Sequence, residues 1–257
     1  MKVVSIVNLK GGVGKTVTAI NMAAILALDY KKRVLLIDAD SQCNSTDFLG
    51  AGADDGSLYY FLTGEADYYP NWVATTNISG VDIITASSEL MTLDLSKVED
   101  KTVHVNALRD LRDALIEDDA YDYVIIDLPP AFTASATAAL LATDDVVIPI
   151  KLDAFSLRGM ANLMQQVQSM RQINPALRVA GCLITMRGKS ETTADAERQL
   201  RGMGLPVFAQ AIRWSDMVDG MTFAQQPLPQ FSPRSAAGVD YRRFVAEYLG
   251  GGADNGR

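Results

Sequence analysis

The stretch Lys10-Gly11-Gly12-Val13-Gly14-Lys15-Thr16 combines the residue types needed to hold a phosphate anion. Its glycines let the backbone curl until successive N–H groups, together with the N-terminus of a following helix, converge on one anion. Lys15 adds a mobile positive charge, Thr16 a hydroxyl for Mg²⁺, and Val17 a further backbone N–H. Leu9 stands where the spacing G-x-x-x-x-G-K-[ST] has its first glycine, and a second lysine, Lys10, lies inside the turn. Three acids end apolar runs further on. Asp127 follows Tyr123-Val124-Ile125-Ile126 and precedes Leu128-Pro129-Pro130, the pattern of a strand-end carboxylate that would hold Mg²⁺ through water opposite Thr16. Asp38, after Val34-Leu35-Leu36-Ile37, could do the same, so one of the two is not a primary metal ligand. Asp40, two residues beyond, is better placed to orient or deprotonate an attacking water. The chemistry is nucleoside triphosphate hydrolysis or phosphoryl transfer.

Positioning these groups requires strands that end on one edge and helices that start there. The alternation of short β-branched runs with longer amphipathic segments predicts an α/β fold: a doubly wound, mostly parallel sheet with helices on both faces, like that of phosphate-loop nucleoside triphosphatases. Strands are expected at 3–7, 33–38, 81–84, 121–127, 145–150, 178–185 and 207–212. Helices are expected at 17–28, 57–62, 87–95, 103–116, 131–142, 156–172, 192–203 and 236–249, with a proline-broken loop at 227–233. Acids at the carboxyl ends of such strands border the ligand crevice. Gly50, Gly52 and Gly56 mark a turn-rich stretch. Residues 1–249 read as one domain and 250–257 as a flexible tail.

With 257 residues the chain can bury a large core. Met1-Lys2 running straight into a strand predicts no signal peptide, and no apolar run approaches the roughly 20 residues of a membrane span. Two cysteines, Cys43 and Cys182, in no C-x-x-C pattern, fit a reducing cytoplasm and exclude a disulfide frame or zinc cluster. A net charge of −8 excludes wholesale electrostatic binding of nucleic acid and leaves room for a local basic patch. The lone His104 is remote from every motif.

Together, Lys10 to Thr16, Asp38-Ala39-Asp40-Ser41-Gln42 and Ile125-Ile126-Asp127-Leu128-Pro129-Pro130 resemble the deviant phosphate loop, the D-x-D-P-Q segment and the D-x-P-P segment of the ParA/MinD ATPases. Residues 232–241, with Ser232-Pro233-Arg234-Ser235, are similar to the D-P-x-S-x-G-x-x-Y of short, Soj-like ParA partition ATPases. The resemblance implies a cytoplasmic ATPase with ATP and Mg²⁺ as cofactors. It further implies an ATP-bound homodimer in which Lys10 of each subunit reaches the phosphates held by the other. Such a dimer binds DNA non-specifically, associates with the nucleoid, and is stimulated by a ParB-type protein on a centromere-like site. No membrane partner is implied. Among the basic residues after Arg178, the resemblance favours Arg234 and then Arg201 as phosphate-contacting DNA ligands. Val17 stands in place of a threonine, Ser41 in place of a proline, and Ile212-Arg213 lacks an intervening proline beside the expected base site. Residues 216–226 depart further. The alternatives are a ParA-like positioning ATPase for a non-DNA cargo and a MinD-like membrane-linked ATPase, which needs a basic amphipathic C-terminal helix.

Overall fold

The computed structural model describes residues 1–51, 57–65, 69–93 and 103–250, and of 154–158 the backbone. Its strands are β1 Lys2–Ile6, β2 Val34–Asp38, β3 Ala74–Thr75, β4 Val81–Ile84, β5 Tyr123–Asp127, β6 Asp145–Lys151 and β7 Arg178–Thr185. They form one sheet in the order β3-β4-β2-β5-β1-β6-β7. Only β3 runs antiparallel to its neighbour. The helices are α1 Lys15–Leu28, α2 Asn44–Phe48, α3 Leu58–Thr63, α4 Ala107–Glu117, α5 Ala134–Ala142, α6 Ala154–Ile173, α7 Glu191–Gly202, α8 Met217–Ala224, α9 Leu228–Phe231 and α10 Ala236–Tyr248.

Side chains alternate across a strand, so each central strand feeds two cores. Val3, Leu35, Ile37, Val124 and Ile126 face one core, closed by α4, α5 and α6. Val4, Ile6, Val34, Leu36 and Ile125 face the other, closed by α1 and by Met221, Leu228, Tyr241 and Phe244 of α8 to α10. This is the doubly wound arrangement expected from the sequence. The carboxyl ends of β1, β2, β5 and β7 lie together, which brings Lys10 to Thr16, Asp38, Asp127 and Thr185 to one edge.

Several local expectations are corrected. Residues 207–212 do not form a strand. They lie beside β7, bonded through the Pro206 carbonyl and the N–H groups of Phe208 and Ile212. Between these contacts the Ala209 and Gln210 N–H groups turn away to the Glu247 carboxylate, which breaks the ladder. Residues 227–233 contain the single turn α9, because Pro227 and Pro229 occupy helix-start positions where a missing N–H costs nothing. The segment after Ser87 is a 3₁₀ turn, Ser88–Thr92, and its expected continuation to 95 lies outside the described residues. Helix α4 starts at Ala107 and not at 103; the preceding residues are tied to α3 by His104 N–H donating to the Leu62 carbonyl at 2.7 Å. Gly52, Gly56 and, from 251, the expected tail also lie outside the described residues.

At the opposite edge from the phosphate loop, the buried Asp145 opens β6. It accepts from Arg178 of β7 and from the Tyr248 hydroxyl at 2.8 Å, with Lys2 Nζ at 3.4 Å. Burial pushes this carboxyl up, but the hydrogen bonds from Arg178 and Tyr248 and the Lys2 charge outweigh it and leave the acid below the ordinary aspartate value. A depressed acid contributes stability above its unfolded pKa and loses it as pH falls through the folded one. Asp145→Asn is therefore expected to lower Tm at pH 7, with the gap to wild type closing as the pH falls below 3.8; thermal melts across pH check this.

Candidate active site

The phosphate loop takes its shape from Gly12 and Gly14, whose φ angles of +68° and +87° lie in the left-handed region that favours glycine. Gly14 is also the N-cap of α1, and no side chain caps the helix there, so its first N–H groups are left to a ligand. The loop is braced from both flanks. Asn8 Nδ2 donates to the Pro149 carbonyl at 2.7 Å while its Oδ1 accepts from Lys10 N–H at 2.9 Å. Across the loop, Thr185 Oγ1 donates to the Val13 carbonyl at 2.8 Å. Lys15 is buried and its ammonium donates to the Lys10 carbonyl at 3.2 Å. Burial lowers its pKa, opposed by the negative charges of Asp127 and Asp40. The Lys10 ammonium pairs with Asp153 at 2.5 Å, just past the end of β6.

Asp38 and Asp127 are direct partners in the β2–β5 register and both are buried. Their hydrogen bonding differs. Asp38 Oδ2 accepts from both the N–H and the hydroxyl of Thr46 at 2.9 Å, and Oδ1 accepts from Asp40 N–H at 3.1 Å. It anchors α2 and the chain leading to Asp40. Asp127 Oδ2 accepts from Ser45 at 2.8 Å, whereas Oδ1 is buried without a hydrogen-bond partner. Burial raises both acids above the usual carboxylate range. For Asp38 the charge of Asp127 adds to the rise; for Asp127 the hydroxyls of Thr16 and Ser45 and the Lys15 charge oppose it. An orphaned carboxylate oxygen beside a threonine hydroxyl is a hard, all-oxygen donor set and fits Mg²⁺. Among the described residues no group of three or more His, Cys, Asp or Glu is placed to hold a metal ion. Asp40 is nearly buried, and its Oδ1 accepts from Gln42 N–H at 3.0 Å. Next to it, Cys43 has a left-handed φ of +56°, and burial followed by the surrounding acids pushes its thiol up to about 11, so it stays protonated.

Sequence reasoning left the base site in doubt. A pocket of about 180 Å³ opens beside the loop, lined by Gly14, Val17, Met186, Arg213, Trp214 and Tyr241 among others, despite the missing proline after Ile212. Arg213 and Trp214, which directly follow Ile212, supply part of its lining. Of the expected DNA ligands, Arg234 lies exposed in the turn before α10. Arg201 is committed within the subunit, to Glu197 at 2.9 Å and to the Phe208 carbonyl at 3.1 Å. His104 sits against Gly64 in a separate cavity of about 550 Å³, away from the phosphate loop.

Lys15 is the one buried ammonium inside the loop. Lys15→Ala is expected to bring ATP binding below detection by titration calorimetry, with far-UV circular dichroism unchanged; retained affinity would remove the ammonium from the phosphate site.

The model of the AAA domain family matches residues 1–179. The chain is 34% identical over 255 residues to the chromosome-partitioning ATPase Soj of Thermus thermophilus, covering 96% of this chain and 94% of that protein. It is 36% identical over 200 residues to the chromosome partitioning protein ParA of Caulobacter vibrioides, 76% and 73% of the two chains. Among solved structures, cobyrinic acid a,c-diamide synthase of Mycobacterium smegmatis with bound ADP and magnesium superposes with a TM-score of 0.80 at 26% identity, covering 97% of this chain and 94% of that one. A phosphate loop braced by Asn8 and Thr185, a buried carboxylate pair and full-length likeness to Soj make the chain a member of the ParA/Soj family of ATPases.

Proposed function

We propose that this ATPase is a DNA-partition switch: it holds ATP, pairs with a second copy across two nucleotides, binds DNA without sequence preference, and is reset by a ParB-type partner. The carrying observation is the buried Lys15 set in a two-glycine loop beside Asp127, whose Oδ1 has no protein partner. The chromosome-partitioning names of the Soj and ParA relatives support the cargo.

In this reading the loop N–H groups from Gly11 to Val17 cradle the phosphates, and Lys15 neutralises them. Mg²⁺, when bound, screens charge between the phosphate oxygens and would be held by the Thr16 hydroxyl and Asp127, with Asp38 behind. Asp40 orients the water that attacks the terminal phosphate and takes up its proton. Lys10 leaves Asp153 to reach the partner's nucleotide. Both groups of that ion pair are part-exposed, and such a pair contributes only about 0–1 kcal/mol. Arg234, exposed in its turn, contacts the DNA backbone. For the membrane-linked alternative, α10 carries Arg242 and Arg243, of which Arg242 is committed within the subunit to Asp29 at 2.7 Å and so is not free for a lipid surface.

Asp40→Ala is expected to bind ATP with near-normal affinity and to lose at least about tenfold in hydrolysis, accumulating as a dimer; phosphate release and sedimentation read the two effects, and normal turnover would overturn the role. Gel-shift binding to arbitrary duplexes should appear with ATP and not with ADP, and Arg234→Glu should weaken it and flatten its salt dependence by about one to two phosphate contacts. Absence of binding in either nucleotide state would point to a non-DNA cargo.

A further inference from the structure

Helix α10 is joined to the nucleotide site at two places by consecutive residues. Asp240, itself buried, accepts from the Arg213 backbone N–H at 3.0 Å and from its guanidinium at 2.8 Å on each carboxylate oxygen. Arg213 and Trp214 form one wall of the pocket beside Gly14. The neighbouring Tyr241 lines the same pocket, and its hydroxyl lies 3.2 Å from Thr18 Oγ1, two residues beyond Thr16 on α1. Two turns further along α10, Glu247 accepts from the N–H groups of Ala209 and Gln210 at 2.7 and 2.9 Å. The segment leading into the pocket wall is thus strapped along the helix by two carboxylates at i and i+7. The same segment is bonded to β7, whose last residue, Thr185, holds the phosphate loop. At the other end of α10, Ser235 caps the helix by accepting from Gly238 N–H at 3.1 Å and donates its hydroxyl to the Ser232 carbonyl at 2.7 Å, which ties the preceding turn that carries Arg234 to the start of the helix.

We infer that Asp240 is a positioning residue: through Arg213 it makes the pocket wall and helix α10 one unit, so that nucleotide occupancy sets the placement of the Arg234 turn. A bidentate Arg–carboxylate pair that also captures a backbone N–H fixes orientation as well as distance, which a single point charge does not. A base seated in this pocket would meet Arg213 and Tyr241, and phosphates on the loop would sit at the start of α1, whose Thr18 meets Tyr241, so both ends of a nucleotide would connect to α10. The placement of Arg234 as a DNA contact rests on the function proposed above; the coupling of the pocket to α10 does not.

The test is amide hydrogen exchange on the full chain with and without a non-hydrolysable ATP analogue and Mg²⁺, for wild type, Asp240→Asn and Tyr241→Phe. In wild type the analogue is expected to slow exchange both in the phosphate loop and across α10. Asp240→Asn should keep the slowing in the loop and lose it in α10, a split that general destabilisation would not produce. Tyr241→Phe removes one hydroxyl and keeps the ring, and should lose part of the α10 response even if Asp240→Asn fails to fold. The ratio of duplex affinity with ATP to that with ADP should fall on the order of fivefold or more in Asp240→Asn. An α10 that ignores nucleotide in wild type, or that responds normally in both variants, overturns the inference. A coupled α10 in a wild-type protein that binds no duplex in either state upholds the coupling and removes the DNA-partition reading.

Discussion

Two carboxylates held side by side in a dry site are the constraint around which the catalytic edge is built. Asp38 and Asp127 face each other in register at the ends of adjacent strands, both out of contact with solvent. Two negative charges at that spacing in low dielectric are unfavourable unless donors or cations surround them. The chain supplies donors unequally. Thr46 and the Asp40 N–H satisfy Asp38, which makes it the brace that folds α2 back over the sheet. Ser45 reaches only one oxygen of Asp127. The remaining imbalance is drawn on by Lys15 from within the loop and is open to a divalent cation from outside. Folding therefore leaves a local electrostatic deficit that ligand binding relieves, so the nucleotide and its metal stabilise the folded state as well as occupying it.

What the sequence reveals here divides along a physical line. Central parallel strands are buried on both faces, so β1, β2 and β5 announce themselves as unbroken apolar runs, and the glycine pattern of Lys10 to Thr16 is dictated by backbone angles that leave little choice of residue. Both were legible. The different hydrogen bonding of Asp38 and Asp127 was not, because each ends the same kind of run; it is set by Thr46 and Ser45, neighbours in sequence that go to different acids. Helices α2 and α8 escaped for a similar reason. Helix α2 starts at Cys43 in a left-handed conformation without a side-chain cap, and α8 carries Gly220, whose place a Cβ would fill only by meeting the Phe231 ring at 2.9 Å. Counting basic residues between Arg187 and Arg243 could not rank them, since Arg187, Arg198, Arg201, Arg213 and Arg242 each find an acid that only the folded chain brings near.

The helix that follows the phosphate loop is held by polar groups committed in the same way. Helix α1 is almost wholly buried and would be expected to pack by apolar contact alone, yet it carries Thr18 and Asn21 on one face, both fully enclosed. Asn21 Oδ1 accepts from Leu228 N–H at 2.8 Å, and its amide donates to the Val17 carbonyl at 2.8 Å and to Met221 Sδ at 3.4 Å. Thr18 meets Tyr241. Apolar surfaces slide over one another at little cost, whereas a buried amide displaced from its partners leaves polar groups unsatisfied at about 1–3 kcal/mol each. The polar pair therefore fixes the register of α1 against α8, α9 and α10 more sharply than its apolar neighbours can. Since α1 begins at the phosphate loop, a displacement of its first turn is resisted, or transmitted, at α10, to which the Arg213 wall is bonded and which the Arg234 turn precedes.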